Sequence, residues 1–74
     1  MTPENIPHYK ELENDFGLIV QETGGLFKLR DFVDLAGSHW NLTREDCEPF
    51  LAAKLFAGEI EQKILGAECW VRVL

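Results

Sequence analysis

The side chains best suited to catalysis or metal binding in this 74-residue chain are two histidines and two cysteines. A nucleophilic cysteine needs a thiolate activated beside an imidazole, and a zinc site needs three or four ligands. His39 and Cys47 are the one pair worth considering, but they lie near acidic residues and lack further ligands. His8 has no partner at a recognisable spacing. The sequence therefore predicts neither a catalytic site nor a metal site.

Two further motifs could suggest an enzyme or a cofactor, and neither meets its requirements. Ser38-His39 are adjacent, whereas a hydrolase triad is defined by a geometry that adjacency does not supply. Gly24-Gly25 lacks the following lysine and hydroxyl residue of a phosphate-binding loop. A cavity of roughly 300 Å³ would also remove much of the core of so short a chain. We therefore expect a protein that is not an enzyme and binds no cofactor.

Composition predicts a folded cytoplasmic protein. Hydrophobic residues make up 46% of the chain and charged residues 27%, which is ordinary for a globular domain. No run approaches the roughly 18 apolar residues of a membrane span, and residues 1–5 lack the features of a signal peptide. In a reducing cytosol, Cys47 and Cys69 are expected to be small core residues rather than a disulfide.

The net charge of −6 argues against nucleic-acid binding, which depends on lysine and arginine neutralising phosphates. The charge is also unevenly distributed, at −4 over residues 1–22, +1 over residues 23–44 and −3 over residues 45–74. Only the middle third is weakly basic.

The chain is expected to form one domain over residues 8–74 after a short N-terminal leader at residues 1–7. Pro7 suits the first turn of a helix that ends at Thr23-Gly24-Gly25. Its apolar positions follow at intervals of three, four and three residues. We expect its opposite face to be solvated. The apolar face consists of Tyr9, Leu12, Phe16 and Ile19, and the solvated face carries Glu11, Asp15 and Glu22.

A short strand and a second helix follow the double glycine. Leu26-Phe27 can extend along a sheet edge, and Gly37 is placed to cap a helix of about ten residues. Trp40 would then lie in the connection to the third helix. The apolar positions of the second helix are Leu29, Phe32, Val33 and Ala36.

The third helix is predicted to begin after Thr43, which forms a capping-box pattern with Asp46, and to end at Gly58. Pro49 leaves two alternatives, because it removes one helical hydrogen bond. Either it bends one continuous helix, or the regular helix begins near Cys47 after a separate turn. The apolar face would consist of Cys47, Phe50, Leu51 and Leu55.

From Glu59 onward the apolar pattern alternates, which is typical of strands. Residues 65–67 provide the turn of a hairpin. The sequence thus predicts an α+β fold, with a three-helix core and a C-terminal two-stranded β-hairpin. The first strand has Ile60, Gln62 and Ile64 on one face; the second alternates Cys69, Val71 and Val73 with Trp70, Arg72 and Leu74.

This order of elements resembles the winged-helix variant of the helix-turn-helix. The resemblance is carried by residues 22–26, 29–37 and 50–60, with the wing at residues 61–73. It implies a third helix that enters the major groove of DNA, as in many family members, or a scaffold for protein contacts, as in a large minority. Fold alone does not decide between these functions.

The third helix is poorly suited to reading DNA. Its outward positions are acidic, proline or alanine, whereas bases are read mainly by arginine, lysine, asparagine and glutamine. We therefore expect a non-catalytic interaction or regulatory module whose partner is another protein. The alternative is a DNA-binding transcriptional regulator that acts as a dimer and uses Lys28, Arg30 and Arg44. The outward positions are Asp46, Glu48, Pro49, Ala52 and Ala53.

Tryptophan and arginine supply the candidate partner-binding residues. In so small a domain a tryptophan usually fills the core, but an exposed one beside an arginine would anchor a protein interface. The candidates are Trp40 with Arg44 and Trp70 with Arg72. The C-terminal edge strand offers a second route, by strand addition or by formation of a homodimer.

Overall fold

The computed structural model of the protein describes residues 5–74 and contains three helices and a three-stranded antiparallel sheet. The predicted α+β class and C-terminal hairpin are confirmed. No helix of these residues combines the length and hydrophobicity needed to cross a membrane. The elements, in order, are α1 Tyr9–Thr23, β1 Leu26–Lys28, α2 Leu29–Trp40, α3 Arg44–Phe56, β2 Ile60–Leu65 and β3 Glu68–Val73.

Helix α1 begins later than predicted. Its N-cap is His8 in a left-handed conformation, with φ 58°, so Pro7 precedes the helix instead of occupying its first turn. The helix ends because Gly24 adopts φ 76° and donates its N–H to the Val20 carbonyl at 2.8 Å. Of the predicted leader, residues 1–4 lie outside the described residues, and Ile6 packs against the core.

Helix α2 continues one turn beyond the predicted cap. Gly37 lies within the helix, and Asn41 takes the left-handed capping position with φ 57°. Asparagine tolerates this conformation because its short polar side chain bonds locally. As a result, His39 and Trp40 lie in the last turn of α2. The prediction that Trp40 lies in the connection to the third helix is therefore wrong.

Helix α3 begins at the predicted capping box. Thr43 Oγ1 accepts the N–H of Asp46 at 3.3 Å, and Asp46 Oδ2 accepts the N–H of Thr43 at 2.9 Å. The helix then continues through Pro49 without a break in its assignment. Of the two alternatives, one helix containing Pro49 is therefore correct.

The sheet has the order β1-β3-β2, so β3 is the central strand, and the prediction that the C-terminal strand forms a sheet edge is wrong. Phe27 pairs with Val71 on one side of β3, and Lys63 pairs with Trp70 on the other. Gly66, with φ 63°, opens the two-residue turn of the hairpin. The prediction that Leu26-Phe27 adds to a sheet edge is confirmed.

An aromatic cluster fills the space between the helices and the sheet. Phe50 stacks on Phe32 with ring centroids 6.0 Å apart, and Phe16 meets both Phe27 and Phe50 edge-on. Both cysteines are free; Cys47 is buried, and Cys69 packs against the core. The buried apolar residues are Leu12, Ile19, Phe27, Leu29, Phe32, Ala36, Cys47, Phe50, Leu51, Ile60 and Val71.

One predicted core position of α3 is wrong. Leu55 is exposed, and Lys54 takes the corresponding place beside the core. Its ammonium lies 5.0 Å from the Phe16 ring centre and 5.3 Å from that of Phe50, while Nζ pairs with Glu13 at 3.0 Å. The long aliphatic stem of lysine lets it cover apolar surface while its charge reaches a carboxylate.

Candidate functional site

Helix α3 has two apolar faces, and only one packs against the core. Cys47, Phe50 and Leu51 point inward and are buried. The outer face carries apolar residues at intervals of three, one and three along the sequence, which places them on one side of the helix. At its end, Phe56 is 98% exposed. The outer face consists of Pro49, Ala52, Ala53 and Phe56.

This outer face lines an apolar groove of about 790 Å³, which we call the α3 groove. Its other wall is formed by Asn5 and Ile6, which precede α1, and by Ala57. Alanine and proline side chains keep the floor of the groove shallow, so a partner element can approach α3 closely. The groove is partly open to solvent.

Acidic side chains lie near the α3 groove, on α3 itself and in an adjacent cleft. Glu45 and Glu48 are exposed and lie one helical turn before Pro49 and Ala52. A smaller cleft lies next to the groove. It shares Ile6, Ala53 and Ala57 with the groove and also includes Glu59. Lys54 is already paired with Glu13 at 3.0 Å and with Glu59 at 3.6 Å. The electrostatic surroundings therefore favour a positively charged partner.

Hydrogen bonding also keeps Asp46 negatively charged near this face. The pKa of Asp46 is lowered by the backbone N–H of Thr43, by the Thr43 hydroxyl and by His8, against a smaller opposing effect of burial. His8 Nε2 lies 4.0 Å from Asp46 Oδ1. Asp46 at the start of α3 therefore stays negatively charged at neutral pH.

The four predicted partner-binding residues do not form one common surface. Trp40 is 43% exposed at the end of α2, with its ring edge-on to His39. Trp70 is half-buried on β3, and Arg72 lies two residues later on the same face of the sheet. Arg44 lines a cleft with Glu48 near α2 and β2. The structure brings Trp70 and Arg72 to one face but gives no contact between Trp40 and Arg44.

The predicted DNA-binding residues are largely engaged by other groups. Lys28 Nζ lies 5.6 Å from the Trp70 ring centre, a cation–π contact. Arg30 pairs with Glu68 at 3.2 Å, and Arg44 lies in the cleft that also contains Glu48. The ion pair with Glu68 reduces the positive charge that Arg30 presents to a phosphate backbone.

A buried carboxylate corrects the prediction that Asp15 lies on a solvated face. Asp15 is fully buried, and its Oδ1 meets His39 Nδ1 at 2.8 Å and Asn14 Nδ2 at 3.3 Å. His39, for which the sequence offered no carboxylate partner, therefore has one 24 residues earlier. The repeat Leu12, Asp15, Ile19 would have revealed this, since these positions share the buried stripe of α1.

This pair does not activate a nucleophile. Burial raises the pKa of the Cys47 thiol, and the charges of Asp46 and Asp15 raise it further. The thiol therefore stays protonated, whereas a nucleophilic cysteine needs the opposite shift. Within residues 5–74, no three histidine, cysteine or acidic side chains gather as ligands for a metal ion.

Sequence reasoning found the outward positions of α3 but missed Phe56 and the groove beside it. Phe56 continues the three- and four-residue spacing of Pro49, Ala52 and Ala53, and that spacing was the available signal.

Searches of protein-family models, curated proteins and solved structures found no significant match to this chain.

Proposed function

We propose that the protein is a small, non-catalytic regulatory module of the cytoplasm that binds another protein through the α3 groove. The observation that carries this proposal is Phe56, which is 98% exposed at the end of an apolar helix face that the core does not use. Apolar patches rimmed by polar residues are typical of protein interaction sites.

The energetics support a role for Phe56 in binding. Complete burial of a phenylalanine side chain contributes about 1.5–3 kcal/mol. Folding of the described residues gains almost none of this at Phe56, so the full amount is available to a partner. Aromatic residues in a central pocket commonly contribute a large share of binding energy.

The partner that fits is an amphipathic segment of another protein, apolar on one side and rich in lysine or arginine along its edges. Its apolar side would cover Phe56 and the alanines, and its cations would face Glu45, Glu48 and Glu59. Such charge complementarity contributes mainly to specificity and to the rate of association.

The resemblance to winged-helix proteins makes DNA binding the alternative function. On α3, however, the face expected to read bases presents Glu45, Glu48 and apolar side chains, and carboxylates are repelled by the flanking phosphates. The candidate phosphate contacts Arg30 and Arg44 lie beside Glu68 and Glu48. These features favour a protein partner.

A peptide titration tests the proposal. Isotope-labelled protein would be titrated with a lysine-rich amphipathic helical peptide and with a glutamate-rich peptide of the same apolar pattern. We expect NMR shift changes around Ala52 and Phe56 with the basic peptide only, weakening as salt is raised. Equal responses to both peptides, or shifts located elsewhere, would refute the proposed partner chemistry.

Two variants and a DNA experiment complete the test. Phe56→Ser should abolish peptide binding, while Leu18→Ser, which changes an exposed apolar residue on α1, should leave it intact. Salt-sensitive binding of duplex DNA that is lost in Lys28→Ala and Arg44→Ala would instead establish the alternative function.

A further inference from the structure

Strand β2 is an edge strand with one paired side. Its inner side pairs with β3, and within residues 5–74 no strand pairs with its outer side. The Leu74 N–H bonds to the Glu59 carbonyl at 3.0 Å, and this fixes the alternation of hydrogen bonds along the hairpin. Glu61 and Lys63 therefore bond to β3, whereas Ile60, Gln62 and Ile64 direct their N–H and C=O groups outward.

Apart from the charges of Glu61 and Lys63, this edge lacks the usual features that prevent pairing with another chain. It is six residues long, contains no proline and pairs residue for residue with β3, without a bulge. Ile64 is 68% exposed near its end. An unpaired edge of this kind is a template for a further strand.

We propose that β2 pairs antiparallel with β2 of a second copy of this chain, with Gln62 opposite its own counterpart on a two-fold axis. In this register Glu61 lies opposite Lys63 of the second copy, and Lys63 lies opposite its Glu61. Ile64 lies opposite the second copy's Ile60. The two sheets join into one continuous sheet of six strands.

Charge selects this register over its neighbours. A shift of two residues places either Lys63 opposite Lys63 or Glu61 opposite Glu61, which is unfavourable. A shift of one residue turns the side chains to the wrong face and mismatches the outward hydrogen-bonding groups. The segment Glu61-Gln62-Lys63 is therefore complementary to itself in one antiparallel register.

The geometry of the pairing strengthens the contact between these charges. Glu61 and Lys63 would form non-hydrogen-bonded pairs, in which directly opposite Cα atoms lie only about 4.5 Å apart. Within its own chain, Glu61 already accepts from Arg72 at 2.6 Å. In the dimer each Glu61 thus lies between two cations, and Lys63, which has no ion pair among the described residues, gains one.

The outer edge of β2 is distinct from the α3 groove, so each proposal can be tested independently of the other. Sedimentation velocity of the whole chain over a concentration series would measure dimerisation. Lys63→Glu and Glu61→Lys should each weaken the dimer by about tenfold or more, because two attractive pairs become repulsive. The peptide binding proposed for the α3 groove should not change in Lys63→Glu.

Mixing the variants gives the decisive result. An equimolar mixture of Glu61→Lys and Lys63→Glu should form a heterodimer, since one chain then carries two lysines and the other two glutamates. The double variant E61K/K63E should dimerise with itself again. If the wild-type chain is monomeric throughout the series, or if the charge variants dimerise as it does, the proposal is wrong.

The backbone contact has its own test. Gln62→Pro removes an N–H that points away from β3, so it should abolish the dimer and leave the fold intact. Gln62→Ser retains the N–H and should still dimerise. Circular dichroism melting of each variant verifies folding; a folded Gln62→Pro chain that still dimerises in full would overturn the proposal.

Discussion

Phe50 and Phe56 lie on the same helix and have opposite environments. Phe50 is fully buried, stacked on Phe32 and tilted against Tyr9 with centroids 5.8 Å apart. Phe56 is 98% exposed at the rim of the α3 groove. Phe50 contributes to the stability of the domain through its buried contacts. Phe56 makes almost no such contribution, so its presence requires a different explanation.

The difference indicates which surface of the domain is free to bind a partner. A helix that only needs to cover a core requires one apolar face, opposite a polar one. The outer face of α3 is polar at Glu45 and Glu48 and apolar toward Phe56. The apolar half of that face is the surface that folding leaves available for binding.

The largest predicted effect comes from truncating the two phenylalanines separately. Phe50→Ala should lower the free energy of unfolding by about 3–5 kcal/mol, because it removes buried contacts and leaves a cavity. Phe56→Ala should change it by less than about 0.5 kcal/mol. Chemical denaturation measures both; a loss above about 1 kcal/mol in Phe56→Ala would remove the contrast between the two sites.

The next effect concerns Asp15, the one acidic residue that is fully buried among residues 5–74. His39→Ala should destabilise the fold by about 1–3 kcal/mol, because buried Asp15 then loses its partner at 2.8 Å. Asp15 Oδ2 already has no hydrogen-bond partner among the described residues. The double variant D15N/H39A should recover part of the loss, since the unpaired charge is gone. Equal stability of the single and double variants would show that leaving the Asp15 carboxyl without His39 costs little.

A smaller effect is predicted at the capping box that sets the start of α3. Thr43→Ala should cost about 1 kcal/mol at neutral pH, measured by denaturation. The lowered pKa of Asp46 means that its contribution is present above the unfolded value of about 3.9 and is lost as pH falls through the folded pKa. The difference between Thr43→Ala and wild type should therefore shrink in acid. A difference that stays constant down to about pH 2 would contradict this account.

The smallest effect is a gain of stability on α1. A Cβ added at Gly17 meets nothing within 4 Å, so Gly17→Ala should stabilise the fold by up to about 1 kcal/mol. Gly25 is the matched control: it has φ 99°, and an added Cβ would lie 3.4 Å from Val73 Cβ. Gly25→Ala should therefore destabilise. Thermal melting compares both, and a loss of stability in Gly17→Ala would show an unrecognised role for that glycine.

Local sequence patterns predicted much of this architecture. The capping box at Thr43, the edge strand after Gly25 and the alternation in the hairpin are all signals within a few residues. Errors arose where two residues competed for one role. Gly37 and Asn41 can both cap a helix, and Lys54 and Leu55 both neighbour the buried stripe of α3.

The candidate site was only partly predictable, since it depends on contacts between distant segments. The acidic outward positions of α3 follow from helical spacing. The groove also needs Ile6, which lies more than forty residues before Pro49 in the chain. The burial of Asp15 follows from helical spacing, whereas its partner His39, 24 residues later, is identified by no local pattern.

The strand order has a consequence for how the chain folds during synthesis. β3 follows β1 and β2 in the sequence and is also the central strand, so neither of them has its pairing partner until β3 has been synthesised. Phe27 must wait for Val71, 44 residues later. Pairing over such separations slows folding. Until β3 arrives, the aromatic cluster lacks one wall, and the nascent chain is exposed to aggregation.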